Sequence, residues 1–122
     1  MARNFRSLLA WQHADALTLE VYQLTASSFP AEERFGLTSQ LRGAAVSVPA
    51  NIAEGAGRES DPDFRRFLVV AQGSLFEVEY YLYLARRLDY IDAVVYRRIE
   101  MMRAETGRTL QGLIRSSRRR RS

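Results

Sequence analysis

The sequence predicts an all-α protein, an antiparallel up-and-down four-helix bundle. Three observations lead there. Apolar residues recur at steps of three and four along most of the chain, and no stretch alternates as a half-buried strand must. The interruptions are short and rich in Pro, Gly, Ser and Asp, so successive helices fold back on one another. A length of 122 residues, with 47% hydrophobic and 26% charged side chains, suits one soluble domain with its own core.

The first helix is expected over residues 7–27, where Ala10, Ala14, Leu17, Val21 and Leu24 make an apolar stripe widened by Leu8, Trp11 and Tyr22. The run "SSFPAEERFG" ends it, and Glu32 and Glu33 in this connection read as solvated carboxylates. The second helix is expected over residues 37–56, with a ridge of Leu37, Leu41, Ala45, Val48 and Ile52 and a last turn relaxed by Gly55 and Gly57. Pro49 has no N–H and frees the carbonyl of Ala45, so a kink is expected there.

The third helix, expected over residues 61–88, has the clearest start: Ser60 as N-cap, Pro62 in the first turn and Asp63 completing a box-like pattern. Phe64, Phe67, Leu68, Ala71, Leu75, Val78 and Leu82 form its core face, yet Val69, Val70, Phe76, Tyr80, Tyr83 and Leu84 cover much of the rest. A four-helix bundle has no central helix, so a helix apolar on two faces points to burial by a second subunit. Asp92 caps the fourth helix, expected over residues 92–114, with Val95, Ile99, Met102, Leu110 and Leu113 inward and Gly107 and Gly112 weakening its end. Residues 1–114 thus make a single domain, and residues 115–122 are expected to be a disordered, Arg-rich tail.

Charge divides along the same line. All 18 basic residues are Arg, and Arg115, Arg118, Arg119, Arg120 and Arg121 lie in the last eight positions. Residues 1–114 hold 13 Arg against 14 Asp and Glu, a net charge of −1, so the formal +4 comes from the tail. Such a tail either solubilises the chain or pairs with phosphates through counterion release, without reading sequence.

Catalytic constellations are missing from the sequence. With no cysteine there is no thiol nucleophile, disulfide or thiolate metal site. The lone histidine, His13, has Ala10 three residues before it, so the Glu-x-x-His pairs of a di-iron bundle cannot form. Glu77 and Glu79 stand two apart on a helix and diverge. No enzymatic activity, cofactor or small-molecule substrate is expected. No run reaches the roughly 18 apolar residues of a membrane span, and no signal peptide is visible at the N-terminus. The expected location is the cytoplasm.

The run "VSVPANIAEGAGRES" has two glycines, but they close a helix instead of following a strand, which argues against a phosphate loop. On a helix, Gln40, Ala44, Ser47, Asn51, Glu54 and Arg58 fall at steps of four and three and form one narrow polar stripe. Two arrangements satisfy this pattern. Asn51 and Glu54 join a buried network with Arg42, Arg58 or a helix terminus, locking a helix hairpin or a subunit contact; or the stripe faces water.

The segments "FRSLLAWQHADALTLEVYQLT", "FPAEERFGLTSQLRGAAVSVPANIAEGAGRES" and "DFRRFLVVAQGSLFEVEYYLYLARRLDYI" resemble the 23S-rRNA intervening-sequence protein family over about residues 5–91. The runs "LTSQLRGAAVSVPANIAEG" and "GSLFEVE" are its most specific matches. The resemblance implies a four-helix bundle assembling as a ring-like homopentamer, with no enzymatic activity established. It further implies kinship with retroelement accessory proteins that act beside a reverse transcriptase and bind nucleic acid. Gly43 stands where the family usually has a second Arg.

Two functions follow as expectations. The first is a non-catalytic oligomeric scaffold or interaction protein. The second is a nucleic-acid-binding accessory protein presenting RNA or DNA with the paired arginines Arg65 and Arg66, Arg86 and Arg87, Arg97 and Arg98, and with Arg118, Arg119, Arg120 and Arg121.

Overall fold

The computed structural model describes residues 3–119, which fold into four α-helices, α1 (Leu9–Ser28), α2 (Leu37–Ala56), α3 (Asp61–Arg87) and α4 (Ala93–Arg119), joined by short connections. No strand occurs among the described residues. Each helix packs on its sequence neighbours, and α1 closes the bundle against α4, while the backbones of the diagonal pairs stay more than 8 Å apart, Cα to Cα. Contacts across each seam run in opposite order. Gln40 on α2 meets Tyr81 on α3, whereas Ser47 meets Ser74. Glu20 on α1 meets Arg98 on α4, whereas His13 meets Glu105. Both seams are therefore antiparallel, and so are α1–α2 (Thr18 with Ala45, Thr25 with Arg42) and α3–α4 (Arg65 with Ser117, Gln72 with Gln111), as short connections require.

The core follows the apolar steps. Leu17, Val21, Leu41, Val48, Ile52, Phe64, Leu68, Val78, Leu82, Ile99, Leu110 and Ile114 are fully buried. Phe67 is the exception on α3: it sits half-buried at the rim, with the guanidinium carbons of Arg58 and Arg66 each 4.6 Å from its ring. Stacked arginines give a rim phenyl apolar cover while their charged ends stay in water.

Each connection has an identifiable stop. Ser60 accepts the Asp63 N–H at 3.2 Å and caps α3, and Asp92 accepts the Val95 N–H at 2.8 Å and caps α4. Asp89 takes the left-handed conformation (φ 61°) just after α3, and the Tyr90 N–H returns to the Ala85 carbonyl at 3.0 Å. Asp is one of the few non-glycine residues that tolerate this backbone. Arg3 ties down the opposite end of the bundle. It donates to the Arg58 carbonyl at 2.7 Å, pairs with Asp61 and lies 4.2 Å from the Phe64 ring centre.

The fourth helix corrects an expectation. It runs through Arg119, so residues 115–119 continue the helix instead of forming a disordered tail. Ile114 and Ser117 still face inward and are buried, and Arg65 on α3 donates to the Ser117 carbonyl at 3.0 Å. Residues 120–122 of the expected tail, with Arg120 and Arg121, lie outside the described residues.

Pro49 leaves α2 continuous from Leu37 to Ala56. The carbonyl it frees, that of Ala45, faces the Thr18 hydroxyl of α1 at 3.0 Å; the same hydroxyl also lies 2.8 Å from the Ala14 carbonyl. A helix defect thus becomes an interhelical contact. Thr18→Val should cost about 1–2 kcal/mol in urea unfolding. The cost should shrink in a Pro49→Ala background, where an N–H is restored to the Ala45 carbonyl. An equal loss in both backgrounds would show that the shared contact contributes nothing.

Glu33 is the other correction in the connections. The sequence reads it as solvated, but its Oε1 accepts the Leu37 N–H at 2.8 Å and its Oε2 accepts the Tyr90 hydroxyl at 2.7 Å. It caps α2 in place of Gly36, which has no side chain to offer, and joins two loops at one end of the bundle. The Leu37 N–H, then the Tyr90 hydroxyl, hold the Glu33 carboxyl below its ordinary pKa. The same hydrogen bond holds the Tyr90 hydroxyl above its ordinary value. A lowered folded pKa means the ionised carboxylate stabilises the fold above the ordinary range, about 4.3 for Glu. That contribution fades as pH falls through the folded value. Urea midpoints of Glu33→Gln should therefore fall less steeply on acidification than those of the parent; parallel curves would refute the role.

Candidate functional site

The polar stripe of α2 divides in three. Asn51 donates to the Ser47 carbonyl at 2.8 Å and lies 3.0 Å from the Ser47 hydroxyl, which meets the Ser74 hydroxyl of α3 at 2.7 Å. This half-buried chain ties α2 to α3, and Tyr81 adds a hydrogen bond to Gln40 at 3.3 Å. Glu54 is not part of it. Its side chain is 55% exposed and pairs with Arg58 one turn on, at 2.8 Å. It sits in the last turn of α2 on the side facing away from buried Gly55 and Ala56, where water solvates the charge. Arg42 turns the other way, donating to the Thr25 hydroxyl of α1 at 2.8 Å. Among the described residues, no buried side-chain nitrogen or oxygen lacks a hydrogen-bond partner.

The arginines expected to contact nucleic acid do not form one surface. Arg65 and Arg66 start α3 and Arg86 and Arg87 end it, about 30 Å apart at 1.5 Å per residue. Several are already engaged: Arg65 with the Ser117 carbonyl, Arg66 with Asp63 at 2.9 Å, Arg86 with Asp89 at 3.2 Å and Arg98 with Glu20. Arg87 stacks 5.5 Å from the Tyr83 ring centre. Arg97 and Arg118 are exposed, and Arg97 has no ion-pair partner among the described residues. Arg119 closes the helix. Arg103, which the expectation left out, is held by Glu100 at 2.6 Å and Glu79 at 3.7 Å. The hydrogen bond to Glu100 raises its pKa, and burial opposes this. Glu79 therefore faces α4, whereas Glu77 lines the α2–α3 seam.

A groove of about 770 Å³ runs between α1 and α4, lined by His13, Arg97, Arg98, Met101, Glu105 and Arg108 among others. His13 Nε2 lies 3.9 Å from Glu105 Oε2, beyond hydrogen-bond reach, and no Ser, Thr or Tyr lines the groove. With no Ser, Thr or Tyr beside them, this imidazole and carboxylate form no nucleophile–base–acid triad. Among the described residues, no group of three His, Cys, Asp or Glu side chains is placed to hold a metal ion, and no helix is long and apolar enough to cross a membrane.

Apolar exposure concentrates on α3. Val69, Phe76, Tyr80 and Tyr83 share its outer face, with Phe76 63% and Tyr80 56% exposed. Gly73 lies between them, and a Cβ built there would meet nothing within 4 Å; the same holds for Gly43 on α2. Neither glycine is required by packing within the chain, although each weakens its helix relative to Ala.

One cluster escaped the sequence reading. Tyr22 of α1, Arg42 of α2 and Arg34 and Phe35 of the α1–α2 connection surround a hollow of about 440 Å³ that Gly43 also lines. Tyr22 and Phe35 are 13 positions apart and share no periodic signal, so only the folding of the connection brings them together.

Comparison with known proteins gives a consistent picture. The chain is similar in fold to a Bacteroides thetaiotaomicron protein of the S23 ribosomal protein family, described as of unknown function. The TM-score is 0.80 at 24% identity, covering 87% of this chain and 98% of that one. No curated protein matched. The model of the family described as 23S rRNA-intervening sequence protein matches residues 6–112, so the four helices and their seams are those of a member: the chain belongs to the 23S rRNA-intervening sequence protein family.

Proposed function

We propose that the chain is a non-catalytic scaffold that assembles with copies of itself along the outer face of α3. The observation that carries this reading is the exposed strip of Val69, Phe76, Tyr80 and Tyr83 on a helix whose opposite face is already buried. Contiguous exposed apolar patches of this kind mark contact surfaces, and aromatic residues are favoured at interface centres. Gly73, with open space before it, leaves room for a neighbouring backbone or side chain. The family resemblance supplies the ring-like homopentamer as the expected assembly, working in the cytoplasm.

Light scattering at micromolar concentration should report a multimer. The pair Phe76→Glu and Tyr80→Glu should shift the chain to monomer with its helical circular dichroism intact, because neither side chain belongs to the core. A parent that is already monomeric would end this reading, and a double variant with unchanged mass would move the interface elsewhere.

The second reading, binding of RNA or DNA, has its own support. Helix α4 carries seven Arg against two Glu, and Arg97, Arg115 and Arg118 on it are exposed. A basic helix on a folded surface attracts phosphates by releasing condensed counterions. Replacing these three by Gln should weaken RNA binding and flatten its dependence on salt by about 0.7–0.9 per lost contact. Absence of binding by the parent at low salt would remove this reading.

A further inference from the structure

The hollow beside Phe35 combines three features that the bundle itself does not need. First, Phe35 is 86% exposed, although it lies in the connection that positions α2. Its ring supports no core contact, and Tyr22 across the hollow is 42% exposed. Second, two guanidinium groups flank these rings. The Arg34 Cζ lies 5.2 Å from the Phe35 ring centre, and the Arg42 Cζ lies 4.6 Å from that of Tyr22. Neither arginine has an ion-pair partner among the described residues, and no acidic side chain lines the hollow. Third, Arg42 is oriented in advance. Its Nε donates to the Thr25 hydroxyl at 2.8 Å and its Nη2 approaches the Tyr22 carbonyl at 3.4 Å, leaving Nη1 with both protons unused.

We propose that Tyr22, Arg34, Phe35 and Arg42 form a binding site for a nucleoside monophosphate unit, free or within a single strand. The base stacks on the open face of the Phe35 ring, and Arg34 and the unused edge of Arg42 take the phosphate. Aromatic faces interleaved with Arg suit single-stranded nucleic acid, since every base offers a π-face and every linkage an anion. A duplex would not fit, because its bases are already stacked. Thr38 and Ser39 hydroxyls at the hollow's wall and the bare Gly43 leave room for the sugar. In its polymer arm the inference rests on the nucleic-acid reading, but on residues distinct from the arginines of α4.

The test uses the full chain and two probes, a short fluorescein-labelled oligoadenylate read by anisotropy and adenosine monophosphate read by calorimetry. Phe35→Ala should weaken oligoadenylate binding by about tenfold, the size expected for one lost stacking contact. Arg42→Gln should weaken it comparably. The exposed Phe35 side chain can be removed without touching the core, and circular dichroism checks that the variant stays folded. Binding of adenosine monophosphate that is lost in Phe35→Ala assigns the site to free nucleotide as well; binding of the oligomer alone assigns it to the strand. Oligoadenylate binding that ignores Phe35→Ala but falls on replacing the α4 arginines overturns the site while the nucleic-acid reading stands. No binding of either probe by the parent overturns both. A changed oligomeric mass in Phe35→Ala, with nucleotide binding unaltered, assigns Phe35 to a contact with another copy and overturns the site.

Discussion

The close approach of α2 and α3 near Gly55 sets the rest of the bundle. A Cβ at Gly55 would stand 2.8 Å from the Phe67 Cβ and 3.1 Å from the Phe64 carbonyl, distances at which backbone must move. With no side chain there, the two helices meet at the start of their hairpin and stay close along it. Ala44 and Ala45 on α2 and Ala71 on α3 are buried with them, and the Asn51–Ser47–Ser74 chain fits in the same narrow seam. Small side chains and short hydroxyls are what such a separation admits. A polar chain there is stable because each member finds a partner inside the seam.

Tight seams have a consequence for the aromatic residues. A core built from alanine and branched aliphatics has little volume for rings, and Phe64 is the one aromatic residue that is fully buried among those described. Phe29 is buried at one end of the core, and the remaining rings are displaced to the rim or the surface. At the rim they are covered by guanidinium groups, as at Phe67 and Tyr22. On the outer face of α3 they are left open, and at Phe35 one projects from a loop. An all-arginine complement suits this arrangement, because a planar guanidinium stacks on a ring where an ammonium would remain hydrated.

Helix number, order and core were legible because one signal, apolar recurrence at three and four, carries all of them. The caps at Ser60 and Asp92 were legible for a related reason, since a cap is a contact between residues three apart. What stayed hidden depends on contacts distant in sequence. Glu33 reaches Tyr90, 57 positions away, and nothing local separates such a carboxylate from its solvated neighbour Glu32. The fourth helix outlasts its glycines because α3 provides Arg65 as a partner for the Ser117 carbonyl. The stripe on α2 was real as a pattern but mixed in environment. One face of a helix passes from seam to solvent along its length, so Asn51 is half-buried while Glu54, three residues on, is in water. Conversely, the two-faced character of α3 was plain in the sequence, since a strip of large apolar residues opposite a core face leaves no ambiguity.

The two proposed surfaces do not compete for the same ground. The apolar strip lies on α3, and the aromatic–arginine hollow lies on α1, the start of α2 and the connection between them. Helices α1 and α3 are diagonal in the bundle, and no Cα of one comes within 8 Å of the other. If the partner surface in a ring lies away from α1, self-association along α3 keeps the α1 side facing outward, and each added copy repeats the hollow at a fixed spacing. A single weak stacking site gains strength in such an array, because neighbouring sites on one strand bind as linked events. On the two proposed readings taken together, scaffold and nucleic-acid binder would be two aspects of one design: the number of copies assembled through the strip would set how firmly a strand is held.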